Sequence, residues 1–198
     1  MRENRKRTVV TIIGIILATA LITAVACMAE SFRASMIILE KKQNGDFHYL
    51  FTGVAQENLK YFENNQNVEK IGVAEEIGYA FLEGCTNPDK PYIYIRAVDA
   101  SGIQAMSLEL AEGRMPWSED EIVIGGHIRS NGGVNLRTGD TLTVQVGERI
   151  SEGGYSLNQS NPYLGAEEKF APAYEKTYTI VGVIDRPNYQ VEARMAPG

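Results

Sequence analysis

The feature that most constrains this chain is an uncharged stretch at residues 8–29, which is 22 residues long. A helix of that length spans roughly 33 Å, and the hydrocarbon core of a bilayer is roughly 30 Å thick. The whole chain has an ordinary globular composition, with 44% hydrophobic and 22% charged residues, which argues against a fibre or a multi-span membrane protein. The sequence therefore predicts one transmembrane helix attached to a polar domain.

Charged residues are divided unevenly by this stretch. Arg2, Arg5, Lys6 and Arg7 precede it, against the single acid Glu3. When these are subtracted from the totals of 19 basic and 25 acidic residues, the remainder carries 15 basic and 24 acidic residues, a net charge of −9. The positive-inside rule predicts a cytoplasmic N-terminus and an extracytoplasmic main domain in the cell membrane. An acidic exterior without a basic run argues against a nucleic-acid partner.

Two alternatives compete with an uncleaved span. Residues 24–26 fit the small-x-small pattern of signal-peptide cleavage, and the following Cys27 would suit lipidation. Against both alternatives, apolar residues recur at helical spacing through residues 31–44, and Gly45 is a suitable helix stop. This continuity favours an uncleaved helix that crosses the membrane and runs on outside it.

Beyond Gly45 the apolar pattern changes from helical to alternating, which predicts an α+β fold of short strands and helices. The predicted strands are residues 47–51, 77–81, 92–98, 121–124, 141–146 and 176–184, the last two as antiparallel partners. The predicted helices are residues 55–64, a helix capped by Asp99 with Ile103, Met106 and Leu110 on its inner face, and a turn at residues 127–131.

A long polar connection separates the last two predicted strands. Residues 147–175 are rich in Gly, Ser, Asn and Pro, which predicts a structureless loop insertion of the kind that is often functional or mobile. Its aromatic residues are Tyr155, Tyr163, Phe170 and Tyr174. These side chains either form a contact surface for a partner or pin the loop to its own domain, and the sequence leaves both interpretations open.

No catalytic set is recognisable, and no cofactor or metal site is predicted. The glycine pairs at Gly125, Gly132 and Gly153 lack the Lys and Ser/Thr of a phosphate cradle and are read as turns. His48 and His127 are better explained as structural or exposed histidines than as catalytic groups. Residues 119–121, all acidic, could bind a cation or act as paired carboxylates, but solvated acids before a strand are commoner.

The remaining local signals are weak. The two cysteines, Cys27 and Cys85, have neither metal-type spacing nor a disulfide framework, and they are predicted to be unpaired thiols. Residues 158–160 match a glycosylation sequon, which is too short a pattern to be specific. No binding residue is assigned from these patterns.

Several segments in a fixed order resemble the MacB/FtsX-type permeases of ABC transporters. Behind the basic cap and first helix come Gly113-Arg114-Met115-Pro116, Glu121-Ile122-Val123-Ile124, Gly139-Asp140-Thr141-Leu142 and Tyr178-Thr179-Ile180-Val181-Gly182-Val183-Ile184. The family's extracytoplasmic core domain has the corresponding Gly-Arg-x-Pro, Glu-Ile-Val, Gly-Asp-Thr-Leu and Val-Gly-Val-Ile segments. The Arg-Lys-Arg-Thr cap at residues 5–8 is similar to Gram-positive members.

The resemblance implies a non-enzymatic permease subunit. A separate cytoplasmic ATPase subunit would supply force, and residues 31–44 would act as the lever that transmits it to the outer domain. The implied partners are that ATPase, a second permease copy or paired permease, membrane lipid, and an extracytoplasmic peptide, lipoprotein or envelope protein. The alternative from another class is a membrane-anchored or lipidated extracellular binding protein with no transporter role.

The resemblance also implies a domain organisation. Residues 1–7 form the cytoplasmic cap, residues 8–29 the transmembrane helix, residues 30–45 the juxtamembrane helix and residues 46–198 an incomplete MacB-like core domain. Permeases of this family have three further spans after the outer domain and an amphipathic helix before the first span. The sequence is therefore interpreted as a fragment of a longer permease.

Overall fold

The computed structural model describes residues 2–185, and its first element is one uninterrupted helix, α1 (Arg2–Asn44). Its 43 residues extend over roughly 65 Å. Among the described residues, this is the one helix long and apolar enough to cross a membrane, with a window of mean hydropathy 2.6. The helix ends before Gly45, whose φ of 84° is the left-handed conformation common after helices. The predicted continuation of the apolar helix through residues 31–44 is confirmed.

Threonine hydroxyls along α1 bond to the helix itself. Those of Thr8, Thr11 and Thr23 donate to the carbonyl oxygen four residues earlier at 2.9–3.0 Å, and that of Thr19 donates to Ile15 and Ile16 at 3.0 Å. A hydroxyl satisfied in this way can enter hydrocarbon without a lost hydrogen bond. The polar residues of the apolar stretch are thus compatible with a lipid environment.

The chain divides into two compact units between Lys41 and Lys42, so the last turn of α1 belongs to the second unit. Within residues 42–185 the second unit contains seven strands and three short helices. The strands are β1 (Ala74–Phe81), β2 (Tyr92–Val98), β3 (Leu110–Gly113), β4 (Glu121–Gly125), β5 (Thr141–Ser151), β6 (Ser156–Leu157) and β7 (Glu168–Ile184). The helices are α2 (Leu59–Glu63), α3 (Ala100–Ala105) and α4 (His127–Ser130).

The seven strands form one mixed sheet in the order β2-β1-β5-β7-β3. Strand β4 pairs with β7 in parallel, and β6 pairs with β5 in antiparallel register. All remaining pairs are antiparallel. Together with the apolar N-terminal helix, this architecture confirms the predicted α+β fold.

The hairpin of β5 and β7 is the centre of the sheet. Its register runs from Thr141 opposite Thr179 to Ser151 opposite Glu168, which confirms the predicted antiparallel partnership. Side chains of β5 alternate as the sequence indicates, with one face buried and the other exposed. The buried face contributes Leu142, Val144 and Val146 to the core, beside Ala80, Leu82, Ile93, Ile95, Ile124, Ile128, Tyr178, Ile180 and Val183.

Several other predicted elements are confirmed. Strand β2 has the predicted bounds of residues 92–98, and β4 and α4 lie where the sequence indicates. Asp99 caps α3, because its Oδ1 accepts a hydrogen bond of 2.5 Å from the backbone N–H of Gly102. The same Oδ1 accepts from the N–H of Val73 at 3.1 Å, which ties the cap to the segment before β1.

Two predictions about elements are wrong, and a third segment is helical as predicted although its first turn is of the 3-10 type. Residues 47–51 form no strand; instead the Phe51 ring contacts Tyr49 and Phe62, with centroids 6.4 and 5.0 Å away, and so its apolar surface packs without a sheet. Leu110 does not belong to the helix after Asp99, because α3 ends at Ala105 and Leu110 opens β3 opposite Ile184. The predicted helix at 55–64 is a 3-10 turn followed by the short α2. Residues 186–198 of the predicted core domain lie outside the described residues.

Gly113 provides a test of the close packing at the end of β3. Its φ is 75°, and a Cβ atom there would collide with the backbone carbonyl oxygen of Val181. Gly84 has a similar φ of 77° but open space around it. Gly84→Ala should therefore cost about 1–2 kcal/mol of conformational strain, and Gly113→Ala clearly more. Urea unfolding of the full chain in detergent measures both, and equal losses would contradict the collision.

Candidate functional site

The first residues of the second unit, Lys42 in the last turn of α1 and Asp46 just after the helix, are bonded to the rest of that unit. Lys42 Nζ lies 2.6 Å from Glu109 Oε2 and 3.8 Å from Asp185 Oδ2, and the hydrogen bond to Glu109 raises the pKa of Lys42 above its ordinary value. The N–H of Asp46 donates to the carbonyl oxygen of Ala105. The N–H of Asp185 donates to the carbonyl oxygen of Glu109 at 2.9 Å, so α3, β3 and β7 meet here.

A second cluster forms the bend between β3 and β4. The Arg114 guanidinium bonds both oxygens of the Glu121 carboxylate at 2.7 and 2.5 Å, and the N–H of Trp117 donates to the same carboxylate at 2.8 Å. The guanidinium carbon also lies 4.0 Å from the centre of the Trp117 ring. Hydrogen bonds from Arg114 and then from Trp117 lower the pKa of Glu121 to about 2. The Gly-Arg-x-Pro segment at residues 113–116 is thus held by a charge pair that spacing alone did not indicate.

The acidic residues 119–121 do not act as one group. Glu121 is bound to Arg114, and Asp120 is hydrogen-bonded to the ammonium group of Lys176 on β7. Glu119 is exposed. In residues 2–185 no group of three His, Cys, Asp or Glu side chains is arranged to hold a metal ion. Two of the three carboxylates therefore form ion pairs at the start of β4, Glu121 with Arg114 and Asp120 with Lys176.

The two histidines and two cysteines lie in separate parts of the fold. His48 is exposed in the irregular segment after α1, and His127 is half-buried at the start of α4. Cys27 is exposed on α1, whereas the half-buried Cys85 directs its thiol to the carbonyl oxygen of Lys90 at 3.4 Å. Both cysteines are free thiols, as predicted.

His127 lines an open groove of about 510 Å³ together with Glu112, Arg129 and Asp185. The Arg129 guanidinium is already bonded there, to Glu112 Oε1 at 2.9 Å and to the carbonyl oxygen of Leu136 at 2.6 Å. These bonds tie α4 to β3 and to the segment before β5.

The predicted structureless loop at residues 147–175 is largely ordered, and that description is wrong. Strand β5 continues to Ser151 and β7 starts at Glu168, so the hairpin occupies both ends of the segment. Between them lie the short β6 and a 3-10 turn at Gly165–Glu167. The segment is ordered because a buried ion pair lies at its base, and its polar composition gave no sign of that pair.

Arg149 and Glu168 form that ion pair, and both side chains are 0% exposed. Arg149 Nε and Nη2 lie 2.9 and 2.7 Å from the two Glu168 carboxylate oxygens. Nη2 also donates to the carbonyl oxygen of Pro162 at 2.9 Å, and Glu168 accepts from the N–H of Leu164 at 2.8 Å. Burial by itself lowers the pKa of Arg149, but the bonds to Glu168 raise it by more, so the guanidinium stays charged. The pair thereby holds both sides of the 152–167 segment.

Aromatic rings enclose the ion pair. The guanidinium carbon of Arg149 lies 5.2 Å from the Tyr79 ring centre and 5.8 Å from that of Tyr92. Tyr92 in turn contacts Tyr163 and Phe170, with ring centres 5.9 and 5.7 Å away. Burial raises the pKa of Tyr79 to about 12, so its hydroxyl stays neutral at physiological pH. Two of the four predicted loop aromatics, Tyr163 and Phe170, thus pin the segment to its own domain.

The other two loop aromatics face solvent. Tyr155 is 76% exposed and Tyr174 is 47% exposed, so they remain available as contact residues. Asn158 of the sequon is exposed too, and its side-chain oxygen accepts a hydrogen bond of 2.9 Å from the N–H of Ser160. The predicted contact surface is therefore smaller than the whole loop.

The sequence of residues 8–195 matches the family described as MacB-like periplasmic core domain. The match covers nearly the whole chain, and the chain therefore belongs to this family. No curated protein matches it. Membership, together with the apolar helix α1, identifies a membrane-anchored permease component of a MacB/FtsX-type ABC transporter. The family implies association with an ATP-binding-cassette ATPase subunit.

The Arg114–Glu121 pair predicts a pH dependence of stability. The pKa of Glu121 is lowered from its ordinary value of 4.5 in the folded state, so the ionised carboxylate stabilises the fold fully at pH values above 4.5. This contribution is lost as the pH falls towards 2. Glu121→Gln should lower the melting temperature at pH 7, and the difference from the unsubstituted chain should vanish near pH 2. Circular dichroism of the full chain in detergent measures this, with the exposed neighbour Glu119→Gln as the matched control. A difference that stayed constant down to pH 2 would contradict the assignment.

Removing one partner of the buried pair should be costly. Arg149→Met leaves the Glu168 carboxylate buried without its cation, which typically costs about 3–5 kcal/mol. Proteases should then cleave the 152–167 segment faster. The double variant Arg149→Met with Glu168→Leu removes both charges and should recover most of the loss. Urea unfolding and limited proteolysis measure both effects, and Lys169→Met, an exposed neighbour, is the control. A loss below about 1 kcal/mol for Arg149→Met would overturn this account.

Proposed function

We propose that this chain transmits ATP-driven motion from a cytoplasmic ATPase subunit to an extracytoplasmic domain that acts on a peptide, lipoprotein or envelope partner. The observation that carries the proposal is the continuity of α1, which joins the apolar stretch and residues 30–44 in one helix. The proposed organisation follows the sequence: residues 1–7 cytoplasmic, residues 8–29 in the membrane and the second unit outside. The positive-inside charge distribution supports this orientation.

A helix transmits displacement only if it does not bend along the way. Residues 2–44 contain no proline, and the one glycine, Gly14, lies within the apolar stretch. The exposed part beyond residue 29 contains an Arg33–Glu30 ion pair at 3.7 Å and good helix formers at residues 36–42. These features favour a stiff rod over a flexible tether.

The far end of the rod must also be attached to what it moves. Lys42, in the last turn of α1, is bonded to Glu109 and lies near Asp185, and the adjacent Asp46 is bonded to Ala105. These contacts involve the segment after α3 and the end of β7, the longest strand of the sheet. A displacement of the last turn would therefore act on β7 directly. Pairing with a second permease copy, which the family resemblance implies, is part of the same proposal.

Breaking the helix outside the apolar stretch tests the relay. Ser35→Pro removes a helical hydrogen bond and costs about 3 kcal/mol locally, whereas Ser35→Ala leaves the helix intact. In proteoliposomes with the cognate ATPase subunit, we expect Ser35→Pro to retain ATP hydrolysis but to abolish ATP-dependent changes in a spin-label distance within the second unit. Ser35→Ala should behave like the unsubstituted chain. Equal ATP-dependent changes in the two variants would refute the relay.

A further inference from the structure

Strand β5 has an open edge over part of its length. On one side β5 pairs with β7 from Thr141 to Ser151. On the other side its described partners are β1, at Val146 and Gly147 alone, and β6, at Arg149 and Ile150. Within residues 42–185, no strand pairs with Thr141 or Thr143 on that second edge. Among the described strands, none therefore covers this edge at the start of β5.

The turn before β5 determines which groups face the open side. The N–H of Gly139 donates to the carbonyl oxygen of Ile180 at 2.7 Å, and the N–H of Ile180 donates to that of Asp140 at 2.9 Å. With the φ of 98° at Gly139, this is a glycine bulge that sets the phase of the strand. Backbone groups of even-numbered β5 residues then face β7, and those of odd-numbered residues face away. The pairing of Gly147 with β1 and of Arg149 with β6 agrees with this phase.

The open edge lies along a groove of about 590 Å³. Its walls are the start of β5, the end of β1, and the segment before β5, with lining residues Phe81, Leu82, Glu83, Val134, Leu136 and residues 141–145. Apolar side chains dominate the walls, and Thr141 and Thr143 are exposed at the edge. This combination of an unpaired edge with apolar walls is the arrangement that accepts an added strand.

The charges at the groove are acidic. Glu83, the one charged lining residue, is exposed and makes no ion pair with any residue of the described part of the chain. One strand away, on β7, the Glu175 carboxylate accepts a hydrogen bond of 2.8 Å from the amide of Gln145, which lines the groove. Residues beyond the apolar stretch carry a net charge of −9. A cationic occupant complements this surface, and an anionic one does not.

We propose that this groove binds an extended peptide segment carrying a basic side chain, which adds to β5 as a further strand. Backbone groups of Thr141 and Thr143 would bond the peptide, its apolar side chains would contact Val134 and Leu136, and its basic side chain would lie near Glu83. The proposal rests on the proposed function only for the source of the peptide, which is the extracytoplasmic side. Binding itself requires neither ATP nor the ATPase subunit.

Peptide binding to the full chain in phosphatidylcholine nanodiscs tests the proposal without any variant. The probe is a capped seven-residue peptide of alternating Thr and Val with a Lys at each end. A counterpart N-methylated at its five central residues cannot donate backbone hydrogen bonds, and a counterpart with Glu at both ends reverses the charge. We expect calorimetry to show at least about tenfold weaker binding for each counterpart, because the first loses several backbone hydrogen bonds and the second carries the same sign of charge as Glu83.

Variants of the protein locate the site. Thr143→Pro removes the N–H on the open edge and leaves the backbone bonds to β7 in place, and it should weaken binding about fivefold. Like Thr143→Val, it also removes the side-chain hydrogen bond of 2.8 Å between Thr143 and Thr177 on β7, so the two variants are matched in that loss. Thr143→Val keeps the backbone and should bind within about twofold of the unsubstituted chain. Glu83→Lys should weaken binding of the peptide with Lys at its ends and strengthen binding of the peptide with Glu at its ends. Hydrogen exchange on the unsubstituted chain should show that peptide slows the amide of Thr143 and leaves that of Val144 unchanged.

Three results would overturn the proposal. The first is equal binding of the Lys peptide and its N-methylated counterpart, which stands even if Thr143→Pro fails to fold. The second is equal binding by Thr143→Pro and Thr143→Val when both fold. The third is a combined result: the chain self-associates, Thr143→Pro abolishes that self-association, and the peptide does not bind. This result would mean that the edge binds a second copy of the chain. None of these results bears on the helix relay, and loss of the relay in Ser35→Pro leaves peptide binding intact.

Discussion

The second unit depends on the ion pair between Arg149 and Glu168, because both charges are fully buried at the end of the central hairpin. Removing two such charges from water costs several kcal/mol per ion, and the attraction between them offsets this only when their remaining hydrogen-bonding groups are satisfied. Here the bidentate contact, the carbonyl oxygen of Pro162 and the N–H of Leu164 meet that condition. The 152–167 segment is ordered as a consequence, since its backbone supplies the ligands that the pair requires.

The same kind of interaction recurs at the two other places where the chain changes direction. Arg114 and Glu121 lock the bend between β3 and β4, and Lys42 and Glu109 hold the exit from α1. These pairs are more exposed than the Arg149–Glu168 pair, so each contributes less to stability. Their role is geometric, because a bidentate or doubly contacted carboxylate restricts the direction in which a backbone segment leaves its strand or helix.

The sequence was informative wherever periodicity or a cap determines structure. The alternation of Leu142, Val144 and Val146, the bounds of β2 and the Asp99 cap all follow from local rules. The sequence was misleading where contacts between residues far apart in the chain determine the structure. Residues 47–51 alternate but lack a partner strand, and residues 147–175 look like a loop although Arg149 meets Glu168 across 19 positions. The family motifs marked residues 113–116 and 139–142, but no local signal could pair Arg114 with Glu121 or leave the edge of Thr143 open.

Strand β7 connects these features. Its last residue, Ile184, precedes Asp185, which lies near Lys42 in the last turn of α1. Residues 179–184 pair with β4, residues 182–184 also pair with β3, and residues 168–179 pair with β5. Its first residue is Glu168 of the buried pair. Because a strand hydrogen-bonded along its length moves with its neighbours, a displacement at Asp185 would reach the start of β5 through the pairs from Thr179 to Glu175. Those pairs lie directly behind the open edge. The proposed relay and the proposed peptide groove therefore share one strand pair, so work done by the helix can change the width of the groove.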